Sequence, residues 1–219
     1  MVFFAKSCST FQLIKGLGAA AGYGLRLCRV ERAKEAALCW MKGRMESEMT
    51  ALAQEFCLKV LLPQMYPEGL ETINREKARG AAVLLLTASP GFYLLPLKDL
   101  LGVEDVIGTR LNVDEQGRYT GEVCGDNCRG LQKPLRLAEY LAARGDRLEV
   151  ETSVAYGDSL SDLPMLDLCE KKIGVNASAG LKRALQNREK AALLVWRRAG
   201  RAAGRDRVSK GRKGNAGKA

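Results

Sequence analysis

The junction at residues 153–162 most constrains what this chain can fold into. A short apolar strand over 153–156 runs into Gly157-Asp158-Ser159-Leu160-Ser161-Asp162. Gly157 lets the backbone turn tightly, and parallel sheets gather ligands at the carboxyl ends of their strands. One aspartate at the strand end and another in the first turn of the next helix can both aim at a point above the sheet edge. Mg²⁺ prefers such oxygen ligands and keeps several of its waters. The same residues also suit a plain strand-to-helix turn with Asp158 or Ser159 as N-cap.

The rest of the chain is helix-rich first and alternating later. Over 27–62, apolar positions recur at helical spacing (Ala33, Ala36, Ala37, Trp40, Met41, then Met49, Leu52, Ala53, Phe56), which predicts two or three amphipathic helices. A helix over 70–79 ends at Gly80, a natural C-cap. The apolar run 81–86 predicts a strand buried on both faces. A helix over 93–101, a strand over 105–108 and a hairpin of 110–113 with 119–123 follow. Helix 131–144, strand 153–156, helix 160–168, strand 172–175 and helix 181–186 complete a βαβα order. Such an order predicts an α/β fold with a parallel sheet, helices on both faces and right-handed crossovers.

Two further loci converge on the aspartate pair. Thr87-Ala88-Ser89 follows the apolar run, placing a hydroxyl and free backbone N–H groups where phosphate oxygens could be held. Taken alone, the triplet is also a cap for the next helix. Lys133 lies three residues past Gly130, near a helix start, from which a lysine reaches over the sheet edge as a point charge. The joint order is Thr87, then Lys133, then Asp158 and Asp162.

With that order the chain resembles the haloacid dehalogenase (HAD) superfamily, and within it the subfamily IB hydrolases related to phosphoserine phosphatase. The resemblance covers residues 7–196. It includes 61–65 and Pro67, Asn127-Cys128-Arg129-Gly130 before Lys133, and Val175-Asn176. It implies a Rossmann-like core with a small helical cap inserted near the N-terminus, closing over the substrate. It also implies phosphate binding by Thr87, Ala88, Ser89 and Lys133, with Thr87 and Lys133 catalytic, and Mg²⁺ held by Asp158 and Asp162. The activity implied is hydrolysis of a small phosphorylated metabolite. Glycines tend to stand where Ala88-Ser89 stand in phosphoserine phosphatases, so the substrate is read only as a small phosphomonoester. The domains expected are a remnant core start over 1–10, a cap over 11–66, the core over 67–196 and a disordered basic tail over 197–219.

The family's opening strand ends in Asp-x-Asp-x-Thr, whose first aspartate attacks phosphorus; no such motif occurs in the 219 residues. In one register Ala5, Ser7 and Ser9 replace its Asp, Asp and Thr. In the preferred register Ala5-Lys6-Ser7-Cys8-Ser9-Thr10-Phe11 matches the segment just after the motif, and Met1 starts downstream of the catalytic strand. Either way no nucleophile is found, because Ser7, Cys8 and Ser9 lack an adjacent base. Impaired catalysis is the expectation. The alternatives are a non-catalytic phosphate-binding or regulatory derivative of the fold, or a nucleic-acid-associated protein acting through its basic tail.

Composition bounds the remaining classes. The net charge is +10, but residues 197–219 hold nine basic side chains against Asp206 alone, so most of the excess is tail. That segment cannot bury enough apolar surface to order itself. It offers weak phosphate-backbone contact with nucleic acid through residues 197–218 and no interleaved aromatics for base stacking. The weakly polar stretch 16–28 is too short to span a bilayer and the start lacks a signal-peptide pattern, so no membrane partner is expected. Seven cysteines without a disulfide spacing suggest a reduced, cytoplasmic protein, and the absence of histidine leaves Cys124 and Cys128 without zinc partners. The glycines at 16, 18 and 22 resemble part of a dinucleotide fingerprint, but no βαβ unit or following acidic residue supports it. No oligomeric state is legible.

Overall fold

A computed structural model describes residues 38–198. Helix α1 (Glu46–Phe56) runs on through a wide turn over Cys57–Leu61 and a 3-10 turn over Leu62–Gln64. Pro67 ends this connection, since proline disfavours helix in the residue before it and Tyr66 is extended. Helix α2 is Pro67–Ala78, with Gly80 just beyond it at a positive φ. Strand β1 (Leu84–Pro90), helix α3 (Leu97–Leu101) and strand β2 (Asp105–Thr109) form one strand–helix–strand unit. The hairpin β3 (Leu111–Val113) and β4 (Tyr119–Val123) follows, then α4 (Gln132–Arg144). The second alternating unit is β5 (Val154–Gly157), α5 (Leu163–Leu166), β6 (Lys171–Val175), α6 (Ala179–Leu185) and β7 (Ala191–Leu194).

β1 pairs parallel with β2, and β5, β6 and β7 form a parallel sheet in that order, while β3 and β4 are antiparallel. The expected α/β architecture with parallel strands is therefore present. The hairpin turn is set by Asp114, whose Oδ1 accepts from the N–H groups of Gln116 (3.0 Å) and Arg118 (2.9 Å).

The apolar clusters show how the pieces meet. Ala155, Leu166, Leu181 and Leu185 form one buried cluster, and Ile107, Cys128 and Leu137 another. Leu86 of β1 and Leu168 pack against both. A third cluster joins Met41 and Met49 to Tyr119, fixing α1 against the hairpin. Among the described residues, no strand covers the edge of β1 opposite β2 or the edge of β5 opposite β6.

Several boundaries differ from the sequence reading. The strand expected over 81–86 begins at Leu84 and ends at Pro90, with Ala81 and Ala82 exposed and every β1 residue only half-buried. It is paired along one edge, so it is not enclosed as predicted. The helix expected over 93–101 is a 3-10 turn (Gly91–Tyr93) followed by α3, because Pro96 bars Leu95 from helical backbone. The helix expected over 160–168 is a 3-10 turn (Leu160–Asp162) followed by α5, with Pro164 in the helix's first turn. β7 is unforeseen: its four apolar residues carry no alternation, and pairing with β6 makes them a strand.

Past β7 the chain stays anchored. Trp196 donates its backbone N–H to Asn176 Oδ1 and accepts from Asn176 Nδ2, both at 3.1 Å, and its ring lies beside Tyr66 and Tyr156. Arg197 N–H donates to Glu68 Oε1 at 3.0 Å. Residues 1–37, including the segment around Ser7, Cys8 and Ser9, and residues 199–219 of the expected tail lie outside the described residues. No helix among the described residues is long and apolar enough to cross a membrane.

One close approach tests this packing. A Cβ on Gly108 of β2 would lie 2.5 Å from Gly91 Cα and 2.9 Å from Ser89 O, backbone atoms that cannot rotate away. Gly108→Ala is expected to lower stability by about 2–3 kcal/mol in urea unfolding, the cost of overpacking a filled site. An unchanged midpoint would contradict the close packing of β2 on the 89–91 segment.

Candidate functional site

The site forms where β5 ends. Gly157 is required because a Cβ there would stand 2.7 Å from Asp162 Cβ. The turn that follows is closed by Asp162 itself. Its Oδ2 accepts the backbone N–H groups of Asp158 (3.1 Å) and Ser159 (3.0 Å) and the Ser159 hydroxyl (3.0 Å). Asp158 is held from the other side, its carbonyl accepting Ser178 N–H at 2.8 Å where α6 begins. The expectation that Asp158 or Ser159 caps the following turn is met through Ser159, whose side chain forms a reciprocal capping box with Asp162.

Lys133 arrives from α4. The loop before it is tightened by Arg129 N–H to Asn127 O (2.6 Å) and by Gln132 Nε2 to Asp126 Oδ2 (2.9 Å). A lysine in a helix's first turn opposes the helix dipole, so a compensating anion is needed. Lys133 Nζ lies 2.5 Å from Asp162 Oδ1, with both side chains buried. Lys133, Asp158 and Asp162 are thus brought together, as their order predicts.

The two aspartates are electrostatically distinct. Burial works against the Asp162 charge, but the bond to Lys133 and its positive charge outweigh that and hold the carboxyl below the usual range. The Asp158 residue is exposed, yet its carboxyl is pushed up, first by partial burial and then by the Asp162 charge. Asp162 is the strut, its carboxyl held below the usual range, and Asp158 is the exposed carboxyl of the pair.

That distinction bears on metal binding. Asp162 accepts four hydrogen bonds, three on Oδ2 and the one from Lys133 on Oδ1, so only Oδ1 keeps a lone pair for a further ligand. Among the described residues no cluster of three metal-ligating side chains occurs. Asp158 and Asp162 are oxygen donors of the type Mg²⁺ takes, and they are the two side chains that would hold it here.

Thr87, Ala88 and Ser89 lie inside β1 rather than after it. The ladder to β2 shifts register between Leu86 and Pro90, which takes these three residues out of regular pairing. Thr87 Oγ1 accepts Ser89 N–H at 3.1 Å, so that N–H is engaged rather than free, and the Thr87 hydroxyl keeps its proton for an acceptor. An open cleft of ≈ 640 Å³ lies beside the Lys133–Asp162 pair, lined by Asn127, Arg129, Gly130, Leu160 and Ser161.

Sequence reasoning missed Thr109, the last residue of β2. It is 1% exposed, and its hydroxyl reaches Ala88 O (2.8 Å), Asn127 Oδ1 (2.9 Å) and Cys128 N (3.1 Å). The signal was available: a hydroxyl at the carboxyl end of a parallel strand, the same reasoning that singled out Thr87. Of the cysteines noted from sequence, Cys124 is exposed and Cys128 is buried.

The sign of each shift gives a stability test. Asp162 titrates below an unfolded aspartate, so its stabilisation is full above the ordinary carboxyl range and is lost as pH falls through its lower folded value. Asp158 titrates above an unfolded aspartate, so its ionisation costs stability as pH rises into that window. Asp162→Asn is expected to cost about 3 kcal/mol in urea unfolding at neutral pH, by leaving the Lys133 ammonium buried beside a neutral group. Asp158→Asn should leave stability equal or higher. Equal losses in the two variants would refute the assignment of strut and open carboxylate.

Comparison with known proteins places this geometry. A family model for HAD, haloacid dehalogenase-like hydrolase, matches residues 3–167. The chain is 30% identical over 139 residues to a histidinol-phosphatase of Neisseria meningitidis, covering 63% of each protein. It is 32% identical over 130 residues to protein CicA of Caulobacter vibrioides, covering 59% of this chain and 54% of that protein. The chain therefore spans less than two thirds of the length of these relatives. A solved structure of a protein of unknown function from Bordetella pertussis superposes with TM-score 0.73 at 27% identity, over 81% of this chain and 79% of that one. A substrate-bound phosphoserine phosphatase shares the fold at TM-score 0.54 and 20% identity, over 82% of this chain and 78% of that one. The chain belongs to the haloacid dehalogenase-like hydrolase family.

Proposed function

We propose that this chain carries the phosphate- and metal-binding half of a Mg²⁺-dependent phosphomonoester hydrolase of the IB type, acting on a small phosphorylated metabolite. The observation that carries the reading is the buried Lys133–Asp162 pair at 2.5 Å, standing beside the open carboxylate of Asp158 at the carboxyl end of a parallel sheet. Paired to Asp162, Lys133 is held charged at a fixed point, where it offsets the negative charge of a bound phosphoryl group. The Thr87 hydroxyl donates to a phosphate oxygen while its own oxygen stays engaged by Ser89 N–H. Asp158 holds the Mg²⁺, which when bound neutralises further charge on the transferring group. A cap segment, of which residues 38–66 are described, excludes water from that centre.

The attacking carboxylate is the part this sequence lacks, since no Asp-x-Asp-x-Thr occurs in it. The uncovered edges of β1 and β5 support a reading in which the nucleophile-bearing strand sits between them; Leu86 of β1 and Ala155 of β5 already share one apolar cluster. A second reading, a phosphate-binding protein without turnover, is favoured by the same missing motif. Under either reading, a basic tail over 197–219 touches nucleic acid only weakly.

Phosphate release from p-nitrophenyl phosphate, with and without Mg²⁺, tests the proposal. The 219-residue chain is expected to be slower than a version carrying an added N-terminal Asp-x-Asp-x-Thr strand by a factor of about 10⁴ or more, the scale of losing a covalent nucleophile. Asp158→Asn should abolish the restored activity. Full Mg²⁺-dependent turnover by the chain alone would contradict the missing nucleophile. Calorimetric phosphate binding with no turnover even in the extended version would favour the second reading.

A further inference from the structure

We propose that Thr109 is a positioning residue that sets the separation between the Thr87–Ser89 segment and Lys133. The inference rests on the reading of those residues as the phosphate-holding groups. Thr109 touches neither Thr87 nor Lys133 by any bond described above; it acts through the backbone that carries each.

Three observations place it in that role. First, the β1–β2 ladder is regular from Leu84 to Leu86 and resumes only at Pro90, whose register partner is Thr109. Between those points the register of the ladder to β2 shifts. The Thr109 hydroxyl supplies a tie there, at 2.8 Å from Ala88 O. Second, the same oxygen accepts Cys128 N–H at 3.1 Å and stands 2.9 Å from Asn127 Oδ1. Its single proton serves Ala88 O or Asn127 Oδ1, while its lone pairs serve Cys128. Asn127 and Cys128 open the turn that leads through Gly130 into α4 and Lys133. Third, the side chain is 1% exposed, so neither tie is in competition with bulk water. A buried hydroxyl so placed fixes two backbone segments relative to each other, and the groups they carry converge on one phosphate.

The hydroxyl, rather than the bulk of the side chain, is the functional part. Valine matches threonine in shape but removes both the donor and the acceptor, whereas serine keeps them and loses only a methyl group.

The test is calorimetric titration of inorganic phosphate, in the presence of Mg²⁺, into the full chain and its Thr109→Val and Thr109→Ser variants, with circular dichroism spectra recorded on each. Thr109→Val is expected to bind phosphate about ten-fold or more weakly, on the scale of losing a supporting hydrogen bond behind a binding group. Thr109→Ser should recover affinity to near the wild-type value. Equal binding by Thr109→Val and wild type, or equal losses in the valine and serine variants, would overturn the positioning role. Should Thr109→Val fail to fold, Thr109→Ala takes its place, with the same loss expected and the same outcomes overturning the role. A wild-type chain that binds no phosphate would instead remove the underlying reading of Thr87–Ser89 and Lys133, and this inference with it.

Discussion

The local architecture depends on the ion pair between Lys133 and Asp162. A lysine near the start of a helix and an aspartate in a strand-to-helix turn are each unfavourable when buried alone, because desolvation of an unpaired charge costs several kcal/mol, on the order of ~3–5 when one partner of a pair is removed. Together, with three further donors on Asp162, they become a fixed point. Through that point α4 is tied to the end of β5, and the backbone of Asp158 is held. A structural element and a charged recognition element are the same two side chains.

The same pair explains why Asp158 and Asp162 are not equivalent. Both are spaced as ligands, yet one carboxylate is engaged by the turn it closes and by Lys133, and its charge then raises the proton affinity of the other. A cation near Asp158 relieves that repulsion, so the site is arranged to favour a positive ion without a cluster of acids. The wider frame has a matching incompleteness. The β1–β2 pair and the β5–β6–β7 sheet share apolar contacts through Leu86 while leaving facing edges without a strand among the described residues.

Much of this was legible in the sequence. The βαβα order predicted the parallel sheets, and the order of Thr87, Lys133, Asp158 and Asp162 predicted the convergence of the last three. Boundaries were less legible because they are set by prolines and by pairing. Pro96 and Pro164 divide helices that periodicity alone would run together, and β1 extends to Pro90 because β2 lies beside it. β7 had no alternation to announce it. In the site, the engagement of Asp162 Oδ2 was illegible because it depends on a turn only a few residues long closing on its own side chain. Thr109 escaped because a lone threonine has no spacing signature; its role arises from two segments, 21 and 18–19 residues away in either direction, that folding brings to one hydroxyl.

The central claim is that Lys133 and Asp162 form the fixed charged pair while Asp158 is the carboxylate open to a ligand. Its most direct test is a ¹³C NMR titration of the side-chain carboxyls of Asp158 and Asp162 in the metal-free chain. Asp162 is predicted to stay ionised to a pH below the ordinary carboxyl range and Asp158 to take up its proton above it. Both carboxyls titrating in the ordinary range, or the reverse order, would contradict the account.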